Sequence, residues 1–297
     1  MVITIHWPLV LFTVCACWCA GLFAIQGIWG MTSITPKSQR SALLVTVVSA
    51  AITALMGVYA SDGWKDLFGG EGSLATGIDL VGLALVAFFL TAVVYFIVLH
   101  KKKGNVPLAM SVAAIVVSVG LLLAVFRFYS LAVGTEWDSP LWTLVLIGQA
   151  AALGAGAMGA ITVFHRELIR NMNDKIILPA TILNCVTSLL FLGAITANKG
   201  FRTQADSGAF GGGEVASAVA TDAGDVISHA ILPFDQELIF VTIVVLLGVV
   251  LSALAALMAK RNNTWVVGVW LVAALVLLGT FAMGFVSYIV VISGTMF

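Results

Sequence analysis

One arginine stands inside a long apolar segment of this sequence. Arg127 follows the apolar residues 121–126 and precedes Phe128 and Tyr129. A guanidinium near the centre of a bilayer costs at least about 2.5–3.5 kcal/mol, and less towards the interface. Because Arg127 keeps its proton, its side chain must reach the headgroups, pair with a carboxylate, or contact a polar ligand. It is the only Lys or Arg that we place within a membrane span, so it is the principal candidate for a functional site.

Two interpretations of Arg127 stay open. In the structural one, its side chain snorkels to the outer headgroups or forms an ion pair. In the functional one, it contributes to a polar ligand site near the outer leaflet. Tyr129 lies two residues further on and is predicted to face another side of the helix. A joint role would therefore need a distorted helix or a larger ligand.

Carboxylates expected at the same end of the protein could pair with Arg127 or accept protons from a ligand. The candidates are Glu71, Asp79, Glu136, Asp138, Asp235 and Glu237. Asp79 and Glu237 fall in the first turns of predicted helices, where the helix dipole stabilises a negative charge, so a structural role is open to each. Gln149 and Asn184 are the main polar side chains predicted in mid-span, where interhelical hydrogen bonding is the default role.

The cysteines and histidines form no recognisable haem or iron–sulfur motif. Three of the four cysteines make a C-x-C-x-C pattern, which lacks ferredoxin spacing, and we expect these thiols to pack as small apolar groups. None of the four histidines is predicted in mid-span, where a membrane haem b would need its imidazole ligands. These residues are Cys15, Cys17, Cys19, Cys185, His6, His100, His165 and His229.

The composition is that of a membrane protein. Hydrophobic residues make up 61% of the chain and charged residues 9%, whereas a soluble domain carries about 25% charged residues. A span needs roughly 20 apolar residues, and about eight such segments are present. They begin near Pro8, Ser41, Thr76, Pro107, Pro140, Lys175, Phe234 and Thr264. We predict an all-α integral membrane protein, with residues 1–297 as a single domain and a long outer loop at 197–233.

Basic residues are distributed unevenly over the predicted connections. Ten Lys and Arg residues follow odd-numbered spans, and three follow even-numbered spans. The positive-inside rule then places both termini on the outer side. Small residues at Ala152, Gly156 and Ala160 predict a close helix approach in the fifth span. Interfacial tryptophans are expected at Trp7, Trp29, Trp64, Trp137, Trp142 and Trp265.

Two segments resemble the membrane-anchor subunits of dimethyl sulfoxide reductase. Residues 6–13, His-Trp-Pro-Leu-Val-Leu-Phe-Thr, are similar to the opening of those subunits, which has a polar residue, Trp-Pro-Leu and a Phe-Thr pair. Residues 127–129, Arg-Phe-Tyr, are similar to their Arg-x-Tyr segment and lead through Pro140 to Trp142 and a Gly-rich fifth helix. The length, span number and predicted outer termini also agree with the family.

The sequence departs from this family at two places. The loop at residues 61–71 lacks the histidine that family members link to menaquinol. In the last helix, Tyr288 alone remains of a set that also includes Glu, Arg and Phe.

The resemblance implies a membrane-anchor and menaquinol-oxidising subunit in the bacterial cytoplasmic membrane. Its implied partners are an iron–sulfur electron-transfer subunit and a molybdopterin catalytic subunit, with membrane lipid around it and no nucleic acid. Arg127 would stabilise negative charge on the quinol oxygen, and a carboxylate would accept protons. The residues implied in menaquinol binding are Arg127, Tyr129, Gln149 and Tyr288, and the candidate proton acceptors are Asp79, Glu71 and Glu237.

The distance that electrons must travel limits where the partner's cluster can lie. We expect no haem or iron–sulfur cluster in this chain. Nothing would then relay electrons across about 30 Å of hydrocarbon. The nearest cluster of the partner would have to lie on the same side as the quinol site. The alternatives are an anchor without a working quinol site, a small-molecule transporter, and a haem protein.

Overall fold

The computed structural model describes residues 7–31, 36–68, 71–102, 106–133, 140–166, 170–209 and 243–295. These residues contain eight helices that are long and apolar enough to cross a membrane, and no strands. The predicted all-α membrane fold is therefore confirmed. The helices are α1 (Trp7–Gly30), α2 (Pro36–Phe68), α3 (Glu71–Lys101), α4 (Leu108–Val133), α5 (Pro140–Phe164), α6 (Arg170–Ala209), α7 (Ile243–Asn262) and α8 (Trp265–Thr295).

Proline residues, and residues with a left-handed backbone conformation, lie at several helix ends. Pro140 is the first residue of α5, where the missing N–H of proline costs no helical hydrogen bond. The carbonyl of Pro107 accepts a hydrogen bond from the Met110 N–H at 2.9 Å as α4 begins. The turn after α5 contains Arg166 at φ 58°, and the turn between α7 and α8 contains Asn263 at φ 56°.

Helix α6 is longer than the apolar pattern indicates. It continues to Ala209, so residues 197–209, which we expected in the long loop, are helical. Hydropathy marks where a segment leaves the membrane, whereas the backbone hydrogen bonds of a helix can continue into water. The remainder of the predicted loop, 210–233, lies outside the described residues.

Helices α1 and α5 form the centre of the bundle. In each of them, 72% of the residues in the most apolar window are buried, against 28–44% in the other six spans. Helix α1 packs against α2 and α4, and α5 packs against α6 and α8, while α1 and α5 pack against each other. The chain thus forms two halves, α1–α4 and α5–α8, each with its first helix at the centre. We call the end of the bundle where α1 begins the proximal end, and the opposite end the distal end.

Glycines allow the central helices to approach closely. A Cβ atom at Gly154 would lie 2.1 Å from the carbonyl carbon of Gly21, so only glycine fits where α5 crosses α1. A Cβ atom at Gly156 would lie 3.3 Å from the Cα of Ala273 in α8. The predicted close approach is therefore seen at Gly156, whereas the tighter approach of α5 to α1, at Ala150 and Gly154, lies outside the Ala152, Gly156 and Ala160 series.

The tryptophans near helix ends differ in their exposure. Trp29, Trp142 and Trp265 lie close to helix ends, where we expected them, but they are among the largest fully buried side chains. Each ring fills the bundle interior, because a helix end close to the interface can still turn one face towards its neighbours. Trp7 is 52% exposed, as an interfacial residue would be.

Candidate functional site

The two segments that carry the family resemblance meet in space. Thr13 of α1 and Tyr129 of α4 share a buried hydrogen bond between their hydroxyl groups. The rings of Phe12 and Phe128, one residue earlier on each helix, lie edge to face with centroids 5.9 Å apart. Residues 116 positions apart in the sequence therefore form one contact near the proximal end. We call Phe12, Thr13, Phe128, Tyr129 and Trp142 the proximal cluster.

The hydroxyl of Tyr129 is oriented by its partner. Thr13 donates its own hydroxyl hydrogen to the carbonyl oxygen of Leu9, one helical turn earlier, at 3.0 Å. A threonine hydroxyl has one hydrogen to give, so Tyr129 must donate to Thr13. The phenol is thus held as a hydrogen-bond donor in the bundle interior, at a position where an acceptor oxygen of a ligand could replace Thr13.

Aromatic rings continue the cluster into the second half of the bundle. The ring of Tyr129 lies edge to face with the indole of Trp142 in α5, with centroids 5.9 Å apart. Trp142 in turn contacts the ring of Phe191 in α6 at 5.2 Å. The cluster therefore spans α1, α4 and α5, contacts α6 through Phe191, and joins the two halves. Its surroundings are apolar, with few polar groups placed at fixed positions, as in most ligand sites.

Arg127 and Tyr129 lie on different faces of α4, as their spacing predicts. Tyr129 is buried, whereas the side chain of Arg127 is exposed. The structure therefore does not bring the two together at one surface of the helix. Arg127 is nevertheless two residues from the phenol along the chain, so both belong to the proximal end.

Gln149 and Asn184 are buried deeper along the seam between α5 and α6. Gln149 follows Trp142 by seven residues, so it lies on the same face of α5 and about 10 Å deeper. Asn184 precedes Phe191 by seven residues and packs its backbone against Gly148. Among the described residues, the side-chain nitrogens of both amides have no hydrogen-bond partner. Gln149 thus lies about 10 Å deeper than the proximal cluster, and a ligand that extends that far inward would contact it.

The side chains of four predicted site residues lie outside the described part of the structure. Glu71 and Asp79 belong to α3, and Tyr288 belongs to α8, but their side chains lie outside the described part of the structure. Glu237 lies entirely outside the described residues. Their assignment to proton transfer or quinol binding stays a prediction.

Among the described residues, the thiols and imidazoles occupy packing or surface positions. Cys17 and Cys19 are buried, and the Cys17 thiol points to the carbonyl oxygen of Leu146 at 3.8 Å. The His165 ring nitrogen Nε2 lies 2.7 Å from the hydroxyl oxygen of Ser41. Within the described ranges, no group of three or more His, Cys, Asp or Glu side chains could hold a metal ion.

A shallow groove of about 570 Å³ runs along the outside of α2 and α3. Its lining is apolar except for the hydroxyl of Tyr59, and consists of Ala51, Ala54, Leu55, Val58, Tyr59 and Phe89. Gly57, within this stretch of α2, faces the ring of Phe12. The groove therefore lies on the membrane-facing side of α2, with the proximal cluster behind that helix.

Sequence reasoning missed Thr13 and Trp142 as members of this site, and it missed a second buried polar group at the distal end. That group consists of Gln26, Gln39, Tyr95 and Ser111, which we call the distal cluster. The sequence could have indicated the distal cluster, because Gln26 is the only amide side chain in the apolar helix α1.

The fold defines a multi-pass α-helical membrane protein with a buried polar and aromatic cluster at one end. Comparisons with protein-family models, with curated proteins and with solved structures find no match to this chain.

Proposed function

We propose that this chain is the membrane-anchor and menaquinol-oxidising subunit of a dimethyl sulfoxide reductase-type complex in a bacterial cytoplasmic membrane. One observation carries the proposal. The two segments that resemble the anchor subunits, residues 6–13 and 127–129, contact each other through the Thr13–Tyr129 hydrogen bond and the Phe12–Phe128 ring pair. Two parts of one binding site must lie together in the fold, and these two segments do.

The chemistry of quinol oxidation suits this cluster. A quinol that is oxidised gives up two electrons and two protons, so negative charge develops on its oxygens as the protons leave. The Tyr129 hydroxyl, a donor fixed in an apolar interior, would hydrogen-bond such an oxygen in place of Thr13. Arg127 would add positive charge at the same end, and Gln149 would contact the ring from the deeper side. Glu71, Asp79 or Glu237 would receive the protons.

The route of the electrons follows from distance. An iron–sulfur cluster in a partner subunit would accept both electrons, one at a time, directly from the quinol. A carrier on the far side would face about 30 Å of hydrocarbon. The partner subunits should therefore dock at the proximal end. The distribution of basic residues supports an outer location for that end.

Removing the hydroxyl of Thr13 or Tyr129 tests the proposal in the assembled complex. We expect Tyr129→Phe to lower quinol-dependent reductase activity by about tenfold or more, as loss of a preorganised donor does. Thr13→Val leaves that donor in place and should lower the activity less, because the quinol oxygen takes the place of Thr13. Activity with a soluble artificial electron donor should not change in either variant. Thr46→Val is a matched control, because Thr46 is also a buried threonine bonded to the carbonyl four residues earlier. Unchanged quinol activity in Tyr129→Phe would remove the cluster from the mechanism.

Arg127→Ala separates the contribution of the cation from that of the phenol. We expect quinol-dependent activity to be lost and activity with the artificial donor to remain. Arg166→Ala provides the control, since Arg166 is an exposed arginine in the turn that follows α5 at the distal end. If quinol activity survives in Arg127→Ala, the arginine serves membrane placement alone.

An anchor without a working quinol site is the second candidate. The absence of histidine from residues 61–71 favours it, and so does the Thr13–Tyr129 bond, which satisfies both hydroxyls without a ligand. Binding of a quinol analogue to the purified complex distinguishes the two candidates. Saturable binding that Tyr129→Phe weakens supports the quinol site, and no binding supports the pure anchor.

A further inference from the structure

A hydrogen bond at the distal end joins the beginning of α2 to the residue that follows α5. The His165 ring nitrogen Nε2 lies 2.7 Å from the hydroxyl oxygen of Ser41. Both side chains are part-buried, so the pair borders the surface of the bundle. The backbone N–H of His165 donates to the carbonyl of Ile161 at 3.1 Å, so the last turn of α5 fixes the imidazole beside α2.

The Ser41–His165 pair has one hydrogen more than its own bond uses. A neutral imidazole carries one N–H, and a serine hydroxyl carries one O–H. If Ser41 donates to Nε2, the Nδ1–H of His165 is left to donate. If His165 donates through Nε2, the hydroxyl hydrogen of Ser41 is left instead. In either case the pair offers one hydrogen-bond donor to a third group.

Two cations on α2 flank the Ser41 hydroxyl. Arg40 directly precedes Ser41, and Lys37 lies four residues earlier, one helical turn away on the same face. Both basic side chains are exposed. In the connections at this end, ten Lys and Arg residues stand against two carboxylates, Glu167 and Asp174. A group that binds the pair is therefore favoured if it carries negative charge. We call Lys37, Arg40, Ser41 and His165 the anion cluster.

Exposed apolar side chains continue from the Ser41–His165 pair towards the middle of the membrane. Leu44 and Val48 follow Ser41 by three and seven residues, so they lie on its face of α2 and extend about 10 Å deeper. They are 65% and 50% exposed, and Phe164, directly before His165, is 75% exposed. A phospholipid matches this order, because its phosphate lies above its acyl chains, whereas a soluble anion has no apolar part to cover these residues. We call Leu44, Val48 and Phe164 the apolar patch.

We propose that the anion cluster and the apolar patch form a binding site for one anionic phospholipid. The headgroup phosphate lies beside the two cations and accepts the remaining hydrogen of the Ser41–His165 pair, as basic pockets between transmembrane helices hold anionic headgroups. An acyl chain covers the apolar patch. Because the pair belongs to α2 and to the end of α5, the lipid ties the two halves of the bundle together at the distal end. The site takes no part in quinol oxidation, so it stands or fails separately from the function proposed above.

Native mass spectrometry of the full chain, released from detergent micelles that contain a defined lipid, tests this site. The probes are phosphatidylglycerol and phosphatidylcholine with the same acyl chains, which differ in the net charge of their headgroups. We expect the first phosphatidylglycerol to bind with a lower apparent Kd than phosphatidylcholine. Lys37→Gln/Arg40→Gln should weaken phosphatidylglycerol binding by roughly 25-fold, since each cation near a membrane surface contributes about fivefold. Binding of phosphatidylcholine should change much less.

Removing the donors of the pair distinguishes a defined site from general surface charge. We expect Ser41→Ala/His165→Phe to weaken phosphatidylglycerol binding by about tenfold, as loss of a hydrogen bond to a charged group does, while both cations remain. Ser49→Ala is the matched control, because the Ser49 hydroxyl, also on α2, donates to carbonyls of its own helix. If the double variant cannot be purified folded, the exposed Lys37→Gln/Arg40→Gln variant still decides the proposal.

Lys260→Gln/Arg261→Gln is the matched control for charge, since both cations are exposed in the last turn of α7 at the same end. It should leave phosphatidylglycerol binding unchanged. The proposal is overturned if the wild-type chain binds both lipids alike, if either variant of the anion cluster keeps the wild-type preference, or if the α7 variant weakens binding equally. Displacement of phosphatidylglycerol by excess inorganic phosphate would assign the cluster to a soluble anion, which also overturns the proposal.

Discussion

At the proximal end of the first half, Thr13 and Tyr129 satisfy each other, whereas the distal end keeps three buried oxygens without partners among the described residues. The Thr13–Tyr129 pair and the distal cluster both lie between helices of the first half, and both contain a buried tyrosine. The proximal pair is closed, so a ligand must displace Thr13 to reach the phenol. The distal cluster instead keeps buried polar atoms that no described side chain satisfies.

The closed proximal pair fits the function that we propose for it. A substrate that binds and leaves needs a site whose polar groups are satisfied when it is absent, because an unpaired buried donor would destabilise the empty protein. Exchange of one hydrogen bond for another keeps the energetic cost of quinol binding small.

The largest expected effect comes from the helix crossing between the two clusters. Gly154→Val places a side chain against the backbone of Gly21, where even a Cβ atom would lie 2.1 Å from a carbonyl carbon. We expect α1 and α5 to separate and both clusters to be lost, so that little folded protein accumulates in the membrane. Gly120→Val, on an open helix face, should accumulate normally. Fluorescence-detected size-exclusion chromatography measures both variants, and equal yields would show that the crossing is not required.

The next largest effect is expected on stability when Trp142 is removed, because its ring joins the proximal cluster to the second half of the bundle. Trp142→Ala should lower the free energy of unfolding by about 3–5 kcal/mol, because a large cavity forms between α4, α5 and α6. Trp270→Ala changes a residue that is 52% exposed and should alter stability by no more than about 0.5 kcal/mol. The free energies of unfolding of the two variants are measured and compared in mixed detergent micelles. Similar losses for both would place Trp142 outside the core.

The smallest effect is the coupling between the two hydroxyls. A double-mutant cycle of Thr13→Val and Tyr129→Phe should give an interaction energy of about 1 kcal/mol in unfolding, the usual net value of one hydrogen bond. The parallel cycle of Thr46→Val with Tyr129→Phe should give an interaction energy near zero. A Thr13–Tyr129 coupling that also vanishes would show that the proximal cluster is not closed in the membrane.

Some of the site could be predicted from the sequence and some could not. Tyr129 was identified beside Arg127, and their separation onto two helix faces follows from helical geometry alone. Thr13 was noted within a resembling segment but not as the partner of Tyr129, since no local pattern connects residues of different helices. Gln26 was overlooked, although an amide in an apolar span is itself a signal of an interior position.

The sequence by itself determined the eight membrane-spanning helices that the described residues contain, and roughly where seven of them begin. The bilayer imposes this result, because every backbone polar group in hydrocarbon must bond within its own helix and about 20 apolar residues are needed to cross. Tertiary structure alone decided which face of each helix turns inward. A membrane span is apolar on nearly all sides, so its pattern carries little rotational information. The burial of Trp142, the Thr13–Tyr129 bond and the distal cluster all depend on that choice of face.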